Sequence, residues 1–592
     1  MVVSTGMSEC PLCGKRLVKK YNMNPRHVIT LNGEYWVLER VLRCSNRKCP
    51  GYSMSFRSEK LQSSVISKKI FGLNVIVHIG ELRYKEHKSY EEIREALEGR
   101  NIKISMGELT NLTRTFEALI KGWHSERIQE IREKLGSYVL SIDGTYSFKD
   151  ETLYIFRSYQ QGLVLYAATA KMDDTAHFKP LLEKVLEMYG TPMAVISDMQ
   201  PAIIEAVKNA IPDVPHQYCQ FHFIRNAGKF MERDYKALEA EMKKKKVESR
   251  AKEIEKRLKE AEGMDCGDGV LESTEEEVQS QSGEIEKRLK EAEGMDCEDA
   301  VVESEVEEVQ SKMKVVGCEL QKKEKFEKCR LIIHILVLLL RITVDNFPFA
   351  LYYLDLYDRY RKIRRTVHHC LAVYPHDDAY RDSLLELNRV LTAVIEDKRI
   401  KSLVKVLKAD YKIFEKLREI LENRDKKPRE VVEGRMRRFL RYMEKKAAKE
   451  KKYASLVSQI KKFWNGLFHT YDHEYIPRTN NDMEQFIGRF RRKWKRITGC
   501  SRMNEWIIHR APMAIYMFNI IGKDSPLNKL GFDTDLANML SSVSYATYKK
   551  CMKEYEVRKE DDRIRKRGNH DLDSVLKEVE VMNELVSVGS EM

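Results

Sequence analysis

Ser137-Tyr-Val-Leu-Ser-Ile-Asp143 is a β-prone run that ends in a carboxylate. A charged turn separates it from Leu153-Tyr-Ile-Phe-Arg-Ser-Tyr159, and Gln160-Gln-Gly162 leads on to Leu163-Val-Leu-Tyr-Ala-Ala-Thr169. Three β-rich runs joined by short turns predict an antiparallel meander. The period then changes. Phe178 to Tyr189 predicts a helix, Met193-Ala-Val-Ile-Ser-Asp198 a buried strand, and Pro201 opens a helix through Ala210 at its favoured first position. His216-Gln-Tyr-Cys-Gln-Phe-His222 reads as a fifth strand. Asp143 and Asp198 fall at or near strand ends, where open α/β sheets gather ligands and catalytic groups.

Three strands followed by helix–strand–helix–strand is the pattern of an RNase H-like sheet, so the fold class is α/β. Upstream, four of the twelve cysteines are paired as Cys10-x2-Cys13 and Cys44-x4-Cys49. A disulfide framework suits short secreted chains. Paired thiolates at knuckle spacing instead fit one tetrahedral Zn2+, because each short loop presents two sulfurs to the same ion. Asn32-Gly33 lies between two β-prone stretches and predicts a tight hairpin turn. Two knuckles bracketing a hairpin read as a structural zinc ribbon over 1–58. The alternative is four unlinked thiols.

Residues 59–130 read as helical. Ser89 is a candidate N-cap for Tyr90-Glu-Glu-Ile-Arg-Glu-Ala-Leu-Glu98, Gly99 breaks that helix, and Leu109, Leu112, Phe116 and Leu119 recur at helical spacing. Two helices joined by a short glycine-containing turn predict a helix-turn-helix, with Asn111, Thr113 and Arg114 on a DNA-facing surface. Such pairs also occur as plain packing units.

Ser141-Ile-Asp143-Gly-Thr-Tyr, Ile196-Ser-Asp198-Met-Gln-Pro-Ala, Cys219-Gln-Phe-His222-Phe-Ile-Arg-Asn and Thr479-Asn-Asn-Asp-Met-Glu484 occur in that order. Together they resemble the acidic-triad (DDE) transposases of the Mutator-like type, including prokaryotic insertion-sequence members. The ribbon and helix-turn-helix in front are similar to the end-binding region of such enzymes. The resemblance implies that Asp143, Asp198 and Glu484 ligate a pair of Mg2+ or Mn2+ ions, Asp143 bridging them. Such a pair, about 3.5–4 Å apart, activates an attacking water or 3′-hydroxyl and stabilises the leaving oxygen. It also implies double-stranded DNA (element ends and target) as partner, a homo-oligomer on paired ends, and a cytoplasmic, nucleoid-associated protein. A catalytically inactive DNA-binding relative and a non-mobile nuclease or recombinase are the alternatives. Taken singly, Asp143 suits a strand-end turn and Asp198 a helix cap. Asp482, Glu474 and Asp472 lie close enough to Glu484 that motif register decides among them.

Behind Glu484, Gly488-Arg-Phe-Arg-Arg-Lys-Trp-Lys-Arg496 has six basic residues among its last eight and no acid. Arg489, Arg491, Arg492, Lys493, Lys495 and Arg496 suit a phosphate backbone, and Trp494 suits base stacking or inward packing. Cys219 and His222 match a family signature whose reading stays open between packing, DNA contact and metal. On a strand their spacing would point them to opposite faces.

The interval from His222 to Glu484 is about 260 residues, far too long for a loop. The resemblance implies a helical domain inserted into the catalytic fold. The expected boundaries are 131–223 and 471–525 for the two catalytic parts, 224–470 for the insertion, and 526–592 for a charged helical tail. Within the insertion, Glu253–Cys266 reappears unchanged at Glu284–Cys297. This tandem repeat (253–313) carries acidic tails that predict a solvated appendage rather than a DNA surface.

The whole chain has 592 residues, enough for roughly two to four domains. Its longest apolar run, Leu331–Leu340, is about half a membrane span. The start lacks the basic-then-apolar layout of a signal peptide. These features disfavour integral membrane, small secreted and wholly disordered classes. The formal charge of +14, from 105 Lys and Arg against 91 Asp and Glu, permits a nucleic-acid partner without establishing one.

Overall fold

The computed structural model describes residues 1–66, 69–148, 151–171, 175–262, 346–373, 379–499, 510–521 and 524–554. The second copy of the repeat, the apolar run Leu331–Leu340 and the tail beyond 554 lie outside the described residues. The chain forms two compact units, Met1–His216 with Asn480–Met592, and Gln217–Thr479.

The first unit opens with a small sheet of β1 (Val2–Val3), β2 (Leu17–Asn22), β3 (Arg26–Thr30) and β4 (Gly33–Cys44). Strand β4 is its spine, parallel to β1 and antiparallel to β2 and β3. The β3–β4 hairpin turns one residue earlier than Asn32-Gly33 predicts. Thr30 pairs with Gly33, so the loop is Leu31-Asn32. The Thr30 hydroxyl accepts from the Asn32 amide at 3.1 Å and donates to the Gly33 carbonyl at 2.9 Å, taking over part of the turn's hydrogen bonding. Gly33 still takes the positive φ, +123°.

Helices α1 (Glu59–Ser64), α2 (Leu73–Tyr84), α3 (Tyr90–Glu98), α4 (Met106–Glu126) and α5 (Ile128–Leu135) follow. Ser89 caps α3 in a reciprocal capping box with Glu92. The link from α3 to α4 spans Gly99–Ser105, longer than the three or four residues of a compact helix-turn-helix. Helix α4 belongs to the core of the first unit: Leu109, Leu112, Phe116, Leu119 and Trp123 pack with the main sheet and with chain from 483 onward.

That sheet contains β5 (Val139–Phe148), β6 (Glu151–Ser158), β7 (Val164–Lys171), β8 (Ala194–Ser197) and β9 (His216–Tyr218), in the spatial order β7-β6-β5-β8-β9. The first three form the expected antiparallel meander, and β8 runs parallel to β5. Helices α6 (Thr175–Tyr189) and α7 (Pro201–Ala210) connect the later strands. The fifth strand is shorter than the sequence predicts. It stops at Tyr218, and α8 (Gln220–Ala227) takes over. In the described part of the tail, Leu527, Phe532, Leu536 and Leu540 belong to the core, and Phe532 meets the Trp123 ring edge-on at 5.6 Å.

Inside this core, Arg510 donates to Glu117 at 2.5 Å and to the Tyr90 hydroxyl at 3.1 Å, while Tyr84 donates to Glu117. Glu117 is fully buried. Breaking a buried pair leaves an uncompensated charge, so Glu117→Ala should cost about 3–5 kcal/mol. Replacing both partners with apolar residues should cost much less. Urea unfolding of the two variants checks this, and equal losses would contradict it.

Of the second unit's described residues, those after β9 form helices and their connections, among them α9 (Glu232–Lys244), α10 (Val247–Glu262) and the helices Tyr352–Val373, Lys398–Glu422 and Arg429–Lys449. The first repeat copy begins on α10. Buried Asp410 ties the layers by accepting from Lys452 and from the Tyr453 hydroxyl, each at 2.6 Å.

Candidate functional site

The parallel register of β5 and β8 ends with Ile142 opposite Ser197. One residue further along come Asp143 and Asp198, so the sheet sets the two acids side by side. Asp143 is not at the end of its strand as the sequence suggests. It is mid-strand, paired with Ile155 of β6, at the point where β8 ceases to flank it. Its carboxyl is buried and held well above the ordinary carboxylate range, first by burial and then by the charges of Asp198 and Glu484. The Gly144 amide opposes this with a hydrogen bond. A Cβ on Gly144 would lie 2.8 Å from the Tyr154 ring and 3.0 Å from the Gln200 side chain, so only glycine lets the β8–α7 turn approach. From that turn the Gln200 amide donates to Asp198 Oδ1 at 3.3 Å.

Glu484 arrives from the first turn of the helix Asn481–Thr498. Two side chains on the sheet fix that turn. Asn480, fully buried, donates to the Ile142 carbonyl at 3.1 Å and accepts from the Ser141 hydroxyl, gripping the two residues just before Asp143. On β6, Arg157 pairs with Asp482, donates to the Gly162 carbonyl at 2.8 Å and stacks its guanidinium 4.7 Å over the Phe486 ring. Asp482 is thus a structural acid. Asp472 pairs with Arg429 at 2.5 Å in the other unit. Asn480 and Arg157 were missed as site residues in the sequence, although the Asn480-Asn481 pair beside the acid was the available signal.

Loss of a group that orients metal ligands typically costs about 10–100-fold. On the proposal made below, that the three acids hold a divalent metal, Asn480→Ala should lower metal-dependent activity by about that factor, raise the metal concentration required, and leave DNA affinity unchanged. An unaltered metal titration would remove Asn480 from this role.

Residues 139–226 match the family model of the MULE transposase domain. The chain carries a Mutator-like transposase domain. No curated protein matches the chain. The MULE domain includes Asp143, Asp198, Cys219 and His222, while Glu484 lies outside the matched residues. It suggests a transposase-type function, a nuclease or transposase activity, use of a divalent metal, and DNA as a partner.

Cys219 is buried at the N-cap of α8 and His222 lies within its first turn. The early end of β9 overturns the opposed orientation that a strand would give, because residues three apart on a helix share a face. Burial lowers the His222 pKa, with Arg225 adding to the effect.

Ahead of the MULE domain, Cys10, Cys13, Cys44 and Cys49 bring their sulfurs within 4.8 Å of one another, compatible with zinc. Cys13 and Cys44 are 3.4 Å apart, Cys10 and Cys49 3.9 Å. The Asn46 and Gly51 amides donate to Cys44 and Cys49 at 3.3 and 3.4 Å. A Cβ on Gly51 would lie 2.9 Å from Cys10 Sγ, so the cradle closes only around glycine. Hydrogen bonding from the Lys15 backbone holds the Cys13 thiol down to about 7, and burial pushes Cys44 up to about 12.

The helix carrying Glu484 is sharply two-sided. Met483, Phe486, Phe490, Trp494 and Ile497 are buried, while Arg489, Arg491, Arg492, Lys495 and Arg496 are exposed. Trp494 packs inward, edge-on to Tyr84 at 5.7 Å. Lys493 differs from its basic neighbours: it is half-buried 5.1 Å over the Phe518 ring, with its pKa lowered by burial. On α4, Asn111 is exposed and Arg114 half-buried. Thr113 is a correction to the predicted DNA face. It is fully buried and donates to the Leu109 carbonyl at 2.9 Å, because α4 is a core helix from Leu112 onward. Among the described residues no helix is long and apolar enough to cross a membrane.

Proposed function

We propose that this chain is a DNA transposase of the DDE type, which binds the ends of an insertion sequence and catalyses metal-dependent strand cleavage and strand transfer. One observation carries the reading: the charges of Asp198 and Glu484, from distant parts of the sequence, both act on the buried carboxyl of Asp143. A buried carboxylate beside two others needs cations to remain ionised. Hard oxygen ligands of this kind suit Mg2+ or Mn2+.

In this reading Asp143, Asp198 and Glu484 would hold the ions. Bound there, the ions would polarise the phosphate and ease deprotonation of the attacking hydroxyl. The chain's own part is to hold Asp143 rigidly mid-strand, to keep Glu484 in place through Asn480 and Arg157, and to exclude water around Asp143. The sheet order, with its antiparallel meander and parallel fourth strand, supports an RNase H-like reading.

Cys10, Cys13, Cys44 and Cys49 hold a structural Zn2+ in a ribbon. The ribbon, the exposed start of α4 and the basic face Arg489–Arg496 contact DNA. Paired ends require a homo-oligomer. The test is Mg2+- or Mn2+-dependent cleavage and joining of the inverted repeats that flank the coding region. Tight end binding with neither reaction would favour an inactive DNA-binding protein instead.

A further inference from the structure

The helix Arg429–Lys449 carries eight Lys or Arg against three carboxylates, and they are unevenly distributed around it. Its apolar side, Val432, Met436, Phe439 and Met443, is buried in the second unit. Two of its three acids are paired, and an acid just before the helix takes another of its cations. Glu433 holds Arg429 at 2.6 Å and Arg437 at 2.9 Å, Glu444 holds Lys461 at 2.6 Å, and Asp425 takes Arg435 at 2.6 Å. Of the five remaining cations, Lys446 is half-buried over the Tyr453 ring at 4.9 Å, whereas Arg438, Arg441, Lys445 and Lys449 recur at spacings of three and four and therefore line one face. All four are exposed, and among the described residues none has an ion-pair partner. Tyr442 lies among them, 50% exposed, with Val431 exposed one turn before Gly434. Gly434, on the same face, opens onto empty space apart from the Arg438 side chain at 4.0 Å.

Exposed cations elsewhere in this unit are commonly neutralised along their own helix, as Lys236 is by Glu232 and Lys243 by Glu239. A solvated helix face alternates its charges. This one repeats a single sign over about 16 Å at 1.5 Å per residue. A polyanion with regularly spaced charges complements such a stripe, whereas a folded acidic protein would have to match it residue by residue.

We propose that Arg438, Arg441, Lys445 and Lys449 form a second DNA-backbone contact surface on the helical unit, additional to the basic helix behind Glu484. It rests on the reading of DNA as partner, and it binds phosphates without reading sequence. A duplex held here is anchored by a part of the chain that contributes none of the three acids.

The test is binding of the full-length protein to a random-sequence DNA duplex between 50 and 200 mM KCl, without divalent metal. Replacing the four cations by serine should flatten the slope of log K against log salt by about three to four, since each neutralised phosphate contributes about 0.9. A control variant removes four paired cations of the same unit, Lys236, Lys243, Lys244 and Lys416, for the same change in net charge. Its slope should match wild type. Arg438→Lys with Arg441→Lys should also keep the slope, and unchanged thermal midpoints show that the variants fold. A wild-type slope in the stripe variant, or equal flattening in the control, overturns the surface. So does a stripe-dependent slope on duplex RNA but not on DNA. Stripe-dependent DNA binding by a protein that never cleaves would sink the transposase reading and leave the surface standing. Cleavage with no stripe dependence would do the reverse.

Discussion

Asp143→Asn should abolish Mg2+-dependent cleavage of element ends, by about a thousandfold or more, while leaving end binding intact. Removing one of the proposed metal ligands would withdraw several kcal/mol of charge stabilisation from the reacting phosphate, and each 1.36 kcal/mol is a factor of ten in rate. Asparagine keeps the shape, so β5 retains its pairing with β6 and β8 and the DNA-binding faces are untouched. The same variant has a second expected behaviour, opposite in direction. The Asp143 carboxyl is held above its ordinary value by burial, Asp198 and Glu484. Its favourable contribution is complete below the unfolded value of about 3.9 and is lost as pH rises through the raised native value. In the absence of divalent metal near pH 7, Asp143→Asn should therefore melt higher than wild type. Added Mg2+ should raise the wild-type midpoint and leave that of the variant nearly unchanged. Equal cleavage by the two proteins would remove Asp143 from the chemistry, and a lower metal-free midpoint would contradict the electrostatic account of its burial.

The second large effect is expected at the other end of the chain. Cys10→Ser with Cys13→Ser should lose about one zinc per chain and unfold residues 1–58, while the MULE domain keeps its structure. The small core cluster there consists of Cys10, Leu17, Cys44, Cys49 and Phe56, so three of its five members belong to the four-cysteine group compatible with zinc. So small a cluster cannot fold the module, and structural zinc supplies about 10–16 kcal/mol in comparable fingers. Zinc analysis and limited proteolysis measure the two consequences. A variant that keeps its zinc would show that the four thiols are not the ligand set. Because binding requires thiolates, zinc should also be released on acidification.

The parts legible in the sequence are those fixed by local period. The meander, the strand ending at Ser197, Pro201 at the start of α7 and the Ser89 cap follow from residue spacing alone. The four cysteines were legible because knuckle spacing is itself a local geometry. Thr113 was misplaced because a threonine on an amphipathic helix looks polar until tertiary packing covers it. The hairpin turn shifted by one residue because Thr30 uses its own hydroxyl to close it. Strand β9 stopped early at the boundary between the two units, which no periodicity announces. The grip of Asn480 on Ser141 and Ile142, and of Arg157 on Asp482, joins residues more than three hundred positions apart. Nothing local records such a pairing, so motif order pointed to Glu484 while the reason for its position stayed hidden.

The grip of Asn480 on β5 also has a consequence for the timing of synthesis. The sheet with Asp143 and Asp198 leaves the ribosome early, and Asn480 and Glu484 follow about 260 residues later. At about 5–20 residues per second that interval lasts roughly 13–50 s. Throughout it the nascent chain has its first two acids and no third, and the core positions later filled by Met483, Phe486 and Phe490 are vacant. A polypeptide interrupted anywhere in the helical unit is consequently born without the third acid. The split in the fold thus makes assembly of the proposed three-acid site conditional on translation past Glu484.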